Sequence, residues 1–539
     1  MLGDDPACRK EPHGSRYRKV LGNAGRRMKT TLAHLLLLLF PVFALFIFRR
    51  VKSPAQAASI VVLGGTMVLP ELIALDLPVI PPLDKEYITY LSALLAACVY
   101  QGRAVSRARV GLGLEMLVVA TMLANVGTAM MNSAPMLDEG RLEDGLGLYW
   151  IFAQSVDDFL LMAVPFVVGR MLFRSVDDLY VFMRTLAIAA AFYTGLIALE
   201  ALASVVFRAW HLGRIVYGLP VHGQVRWGQV QPIVFFRNAL ELANFMAGAL
   251  VASAVVLSAK LSMPHVLARA GLPRLSPGTV RGMVWLGLVL TRNVAGNLSG
   301  GAVALGYVFL RPRIMMGAGC AMAILAIGYP SLRVADLFPW EAVVEVAYDI
   351  QEERARSFEG RFLEEEHVLS QIGERVWFGW GTYSRIPGAE TFGTGEVGLD
   401  GWTTIRVGVA GVVGFVLYYA MFTIPVLRAV WRSRFADRAG FVLISGLVCM
   451  LSVRMLDLII NGWWNCLPVF FAGILWGVSG DLRQGNSLKG PGPRERRKET
   501  RSPVGESEAV AQVDRGTDRP ASLGALAQSE AENAGARKR

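Results

Sequence analysis

Apolar residues gather in thirteen runs that cross, or nearly cross, a bilayer: residues 32–48, 57–75, 87–100, 110–131, 149–169, 179–206, 239–259, 278–291, 294–310, 314–330, 402–427, 440–460 and 463–478. A helix of about 20 apolar residues spans the hydrocarbon core. The pattern predicts an all-α polytopic membrane protein with about 12–13 transmembrane helices. Two runs are short and meet at Leu290-Thr291-Arg292-Asn293, so they also read as one broken or re-entrant helix. The longest polar interruption, 331–401, carries fourteen acidic and six basic residues, which excludes lipid insertion and marks a folded extramembrane loop.

Basic residues orient this pattern. Arg49/Arg50/Lys52, Arg103/Arg107/Arg109, Arg170/Arg174, Lys260/Arg269/Arg274/Arg281, Arg311/Arg313 and Arg428/Arg432/Arg434/Arg438 fall in short connections that the positive-inside rule makes cytoplasmic. The loops 76–86, 132–148, 207–236 and 331–401 then face outward. The same assignment places the N-terminus outside, against eight Lys and Arg residues before Thr31. Met28 opens MKTTLAHLLLLLF, so residues 1–27 are expected to be upstream read-through or a disordered extension. The AQA at 55–57 resembles a signal cleavage site, but Arg49, Arg50 and Lys52 oppose translocation there. Residues 28–480 form the expected transmembrane domain, with 331–401 as its large outer loop. Residues 481–539 have the Gly, Pro, Ser, Glu and Arg composition of a disordered cytoplasmic tail.

Composition agrees: 53% of residues are hydrophobic and 18% charged. The net charge of +11 sits in connections and tails, where it orients a membrane protein rather than binding nucleic acid. Cys8, Cys98, Cys320, Cys449 and Cys466 lack metal spacing, so neither a metal nor a cofactor is expected.

Ionisable side chains inside spans are costly unless paired or hydrated, which makes each a functional candidate. Glu71, Glu200, Glu241, Arg292, Arg406, Arg454 and Asp457 fall in the outward half, Asp157 and Asp158 near mid-depth, and Glu115 inward. This asymmetry predicts an outward polar cavity. Arg237/Glu241 and Arg454/Asp457 share helix faces, and the second pair reads as a structural tie. Arg292 has no acid at i±3 or i±4 and reads as functional. Guanidinium groups fork onto phosphate oxygens and stay charged, so such arginines suit a lipid-linked pyrophosphate.

Four segments carry a resemblance: RWGQVQPIVFFRNALELANFMAGAL (226–250), LTRNVAGNLSGGAVALGYVFLRPR (290–313), RFLEEEHVLSQIGERVWFGWG (361–381) and DGWTTIRVGVAGVVGF (400–415). In order and spacing they resemble the bacterial O-antigen ligase and O-antigen polymerase superfamily. DLPVIPPLDKEYITYL (76–91) resembles an exopolysaccharide-polymerase-like subset of it, and the similarity spans about residues 28–480. The resemblance implies a GT-C-like glycosyltransferase of the bacterial inner membrane, active at the periplasmic face and independent of nucleotide sugars. Its implied partners are an undecaprenyl-pyrophosphate-linked glycan, a glycan or lipid acceptor, membrane lipid and a chain-length regulator.

Carried over residue by residue, the implied catalytic set is Arg292, Arg361 and Asp400. Asp400 lies eleven residues before Gly411 of the Gly411/Gly414 pair, where the ligases keep a histidine; this favours a polymerase of O-antigen or exopolysaccharide over a ligase to lipid A core. Arg237, Glu241, Glu366, Trp380, Arg385, Trp402 and Arg406 are the expected substrate-binding residues, with Trp380 and Gly381 completing the FGWG turn. Glu364 and Glu365 read as a solvated helix face, and His367 as a helix-face histidine. A polysaccharide-repeat transporter or flippase is the alternative from another class; it should show pseudo-repeats and charges across the full depth, and the chain shows neither.

Overall fold

The computed structural model describes residues 24–482, except 78–79, 103–104, 107–112, 139–140, 208–209, 219–223, 263–275, 351, 389–400 and 463–464. The expectations for the N-terminal extension before residue 24 and for the tail after 482 lie outside the described residues. So does Asp400.

The described chain is almost wholly helical. In order, the helices are α1 (Ala24–Arg50), α2 (Pro54–Val68), α3 (Lys85–Tyr100), α4 (Met116–Met131), α5 (Leu148–Asp158), a π-turn (Phe159–Ala163), α6 (Val164–Leu172), α7 (Val176–Val206), the short α8 (Leu212–Tyr217), α9 (Ala239–Ser258), α10 (Pro277–Leu290), α11 (Val294–Phe309), α12 (Pro312–Val334), α13 (Trp340–Ile350), α14 (Glu352–Gln371), α15 (Trp402–Arg432), α16 (Arg438–Ile460) and α17 (Leu467–Asp481). Two small antiparallel hairpins, β1–β2 (Met136–Asp138, Arg141–Glu143) and β3–β4 (Val225–Arg226, Gln229–Val230), occupy loops. Seven helices are long and apolar enough to cross a membrane, and five more are apolar but shorter. The protein is an all-α, multi-pass membrane protein.

Each predicted run contains a helix, though those at 110–131 and 463–478 begin it only at Met116 and Leu467, and local chemistry sets the ends. Asp84 accepts from the Glu86 and Tyr87 amides to start α3, Asn238 from Glu241 to start α9, and Asn293 from Gly296 to start α11. The run 57–75 ends early: Leu69 is extended, Pro70 follows, and Leu72 has a φ of 63°. Packing then assembles the bundle, with α12 against α16, α17 against α6, α9 against α11 and α1 against α3. The α6–α17 contact is backbone to backbone, since a Cβ at Gly473 would lie 2.2 Å from the Phe166 carbonyl and one at Gly477 2.2 Å from that of Phe173.

Two segments fold back on themselves. Between α10 and α11 the chain reverses at Arg292, whose φ is 55°; Asn297 Nδ2 then donates to the Leu288 carbonyl at 3.2 Å. The suspected break at 290–293 is therefore a tight turn between two short helices. The run 402–427, expected as one span, is the segment that re-enters. It breaks at Gly411 (φ 65°, ψ −173°), and its first nine residues return along the rest. The Trp402 and Tyr418 rings lie 5.7 Å apart, and the Thr403 and Tyr419 hydroxyls share a hydrogen bond at 2.5 Å. In a straight helix, sixteen residues would separate them by about 24 Å.

Candidate functional site

The break in α15 exposes backbone groups that a lipid environment cannot satisfy, so the chain must supply partners. The FGWG segment does so. Trp380 and Gly381 donate to the Gly408 and Val409 carbonyls at 2.9 and 2.8 Å, and Val412 and Val413 donate to those of Val376 and Trp377 at 2.8 and 3.1 Å. The approach is possible because Gly379, Gly381 and Gly411 all have positive φ; a Cβ at Gly411 would lie 2.4 Å from the Trp377 carbonyl carbon. From the other side, Thr128 and Asn132 at the end of α4 donate to the Phe378 and Gly379 carbonyls at 2.7 and 2.9 Å. The charged segment is thus built into the broken helix α15.

This lock positions α14 over the ends of α15 and α16. Arg361 Nη1 donates to Asn461 Oδ1 at 3.1 Å, and Asn461 Nδ2 to Asp457 Oδ1 at 2.6 Å. Asp457 Oδ2 accepts from Asn244 at 2.9 Å and pairs with Arg454. The chain of contacts links α14 to a cavity lined at one end by Glu241, Asn244, Arg454 and Asp457 and elsewhere mainly by apolar residues of α9, α11, α16 and α17. Behind it, buried Lys85 pairs with Glu71 at 2.5 Å and lies over the Phe236 ring at 5.1 Å. The cavity is amphipathic, polar at one end and apolar along its length.

The expected site residues separate into groups. Arg361 lines a small pocket with Glu364, Glu365, Thr404, Ile459 and Gly401, so it stands beside the residue that follows Asp400. Glu241 lines the amphipathic cavity and accepts from the Arg237 amide at 3.1 Å, while the Arg237 side chain is exposed. Arg292 points elsewhere: its Nη1 donates to the Val230 carbonyl at 2.6 Å, while Gln231 Nε2 donates to the carbonyls of Thr291 and Arg292 at 3.1 and 3.0 Å. Neither the cavity nor the Arg361 pocket is lined by more than one of Arg237, Arg292 and Arg361. Arg406 stacks over Tyr418 at 4.0 Å and over the buried Trp402 at 5.1 Å, within electrostatic reach of Asp158 and Asp157. Trp380 packs on Val368 and Ile386, donates Nε1 to the Gln371 carbonyl at 3.2 Å and carries Arg375 on its face. Buried Arg385 donates to the carbonyls of Ala134, Glu143 and Asp144, which clamps the two ends of the β1–β2 hairpin; burial draws its pKa below the usual arginine value.

The glutamates of α14 reverse their expected roles. Glu364 and Glu365 are buried and Glu366 is exposed, because i+3 and i+4 share the Arg361 face of the helix and i+5 does not. Tyr329 donates to Glu365 at 2.7 Å, and Arg333 Nε lies 3.4 Å from it. Burial raises the pKa of Glu365 above its ordinary value, against the opposing pull of Tyr329 and Arg333. His367 bonds the Pro387 carbonyl at 2.9 Å.

Several organising residues gave little sequence signal. Asn461 and Asn244 are uncharged amides whose role depends on neighbours more than two hundred residues apart in sequence for Asn244 and Asp457. Glu200, visible as an intramembrane carboxylate, accepts from the amides of Leu212, Ile233 and Val234 and bonds His211 Nδ1 at 2.8 Å, holding the 211–236 loop.

No protein-family model matches the chain, and no curated protein matches it either. A functional reading rests on these residues and their geometry.

Proposed function

We propose that the protein is an inner-membrane glycosyltransferase that polymerises or transfers an undecaprenyl-pyrophosphate-linked oligosaccharide at the periplasmic face. The observation that carries this reading is the amphipathic cavity joined to Arg361 through Asp457 and Asn461. Its apolar walls suit an isoprenoid chain, and its polar end suits the head group of a carrier lipid. Arg361, beside Gly401, is placed to steady charge developing on a departing diphosphate, and a carboxylate at Asp400 would serve as base toward an acceptor hydroxyl. Arg292 acts in this scheme through the turn it closes with Val230 and Gln231.

The test is an assay of the purified protein with undecaprenyl-pyrophosphate oligosaccharide. Arg361→Ala and Asp400→Asn should abolish chain extension at normal expression. Unchanged products from both variants would remove the assignment. Labelling of a cysteine placed at position 355 from the periplasmic side is the expected topology result.

A further inference from the structure

A second cleft lies along α5 and shares no lining residue with the Arg361 pocket. It is an open cleft of about 530 Å³, lined by Asp76, Pro81, Tyr149, Trp150, Gln154 and Asp157 among others. Trp150, Gln154 and Asp157 recur at i, i+4 and i+7, so one face of α5 presents an indole, an amide and a carboxylate in a row. This helix opens a membrane-spanning segment, Leu148–Leu172, of mean hydropathy 1.7. Tyrosine and tryptophan at the end of a span often serve as interface anchors. An anchor face turned to lipid would not carry Gln154 and Asp157, because an amide and a carboxylate are costly there.

The polar groups are held in place from behind. The Tyr87 hydroxyl donates to Asp157 Oδ1. Asn125 Nδ2 and Gln154 Nε2 donate to Asp158 at 2.8 and 3.3 Å, which leaves Gln154 Oε1 to accept from a ligand. Immediately after Asp158 the helix widens into the π-turn Phe159–Ala163, a feature that costs regular hydrogen bonding and recurs at functional sites. Tyr149 is 70% exposed.

Aromatic faces beside carboxylate and amide acceptors are the chemistry that recognises a sugar. The axial C–H groups of a pyranose stack on an indole or phenol, while its hydroxyls donate to carboxylate and amide oxygens. The described lining carries Asp76 and Asp157 and no Lys, Arg or His, which disfavours an anionic ring. The geometry points to this cleft as a binding subsite for an uncharged saccharide ring, separate from the Arg361 pocket. The inference rests on the glycosyltransferase reading above, within which the cleft would hold a sugar of the glycan away from the transfer point.

The test is saturation-transfer NMR on the full-length protein in lipid nanodiscs, with methyl glucopyranoside, the methyl glycoside of N-acetylglucosamine and methyl glucuronide as probes. The neutral glycosides should receive saturation and the glucuronide less. Trp150→Ala should weaken the neutral signal by about tenfold, the scale of one lost aromatic contact. Trp150→Phe should retain most of it and Gln154→Ala should reduce it, which keeps the test informative if Trp150→Ala does not fold. Arg361→Ala should leave the signal intact. No transfer to the wild type, or transfer indifferent to Trp150→Ala and Gln154→Ala, overturns the subsite. Binding that depends on Trp150 in a protein without transferase activity would keep the subsite and remove the enzymatic reading; an active protein without such binding does the reverse.

Discussion

Arg361 reaches Asn461 at 3.1 Å, one hundred residues away in sequence, and joins α14 to the end of α16. Asn461 passes the contact on to Asp457 at the polar end of the cavity. A guanidinium held this way is fixed relative to the cavity instead of sampling solvent, which is the preorganisation that electrostatic catalysis needs.

Asn461→Ala is expected to lower transfer by about tenfold or more, and Arg361→Ala by about a hundredfold. Because Asn461 acts by positioning, adding Asn461→Ala to Arg361→Ala should cost little further. A double-mutant cycle in the oligosaccharide assay reads this directly; fully additive losses would separate the two residues.

Gly411 has a φ of 65° and no room for a Cβ beside Trp377 and Phe378. Gly411→Val should destabilise the protein by about 2 kcal/mol or more, since it adds strain and parts the backbone ladder to FGWG. The readout is the thermal unfolding midpoint in detergent, together with faster proteolysis within 376–388.

Glu200 answers three backbone amides and His211 at a site where its side chain is 1% exposed. Glu200→Ala leaves those donors buried without an acceptor and should cost about 3 kcal/mol or more. Glu200→Gln should cost less, and amide exchange across 211–236 should quicken in the order Gln, then Ala.

Glu365 has a raised pKa because of burial. The folded protein therefore holds this proton more tightly than the unfolded chain does. Its contribution to docking α14 on α12 is full below the ordinary glutamate value and is lost as pH rises from there through the raised one. Intrinsic-rate-corrected amide protection of α14 should fall over that window in the wild type, and Glu365→Gln should flatten the dependence while keeping an acceptor for Tyr329.

The span pattern was legible because each run had to bury its apolar length in lipid, a constraint that acts on every residue of the run. The candidate site was legible only in part. Glu241 stood out as a charge in a hydrophobic setting and Arg361 through the family resemblance, but Glu366 was favoured over Glu364 and Glu365, since spacing on an isolated helix does not say which face meets a neighbour. Arg385 looked like a substrate ligand until its three carbonyl partners came into place from the ends of the β1–β2 hairpin.

By itself the sequence determined that the chain is a helical, multi-pass membrane protein and where most of its apolar helices run, because hydropathy and capping are local properties. Only the tertiary structure decided that 402–410 folds back at Gly411, that FGWG closes the exposed backbone, and that Arg361 meets Asn461 while Arg292 meets Val230. Those outcomes depend on which distant backbone groups complete each other's hydrogen bonds, and no local pattern records that.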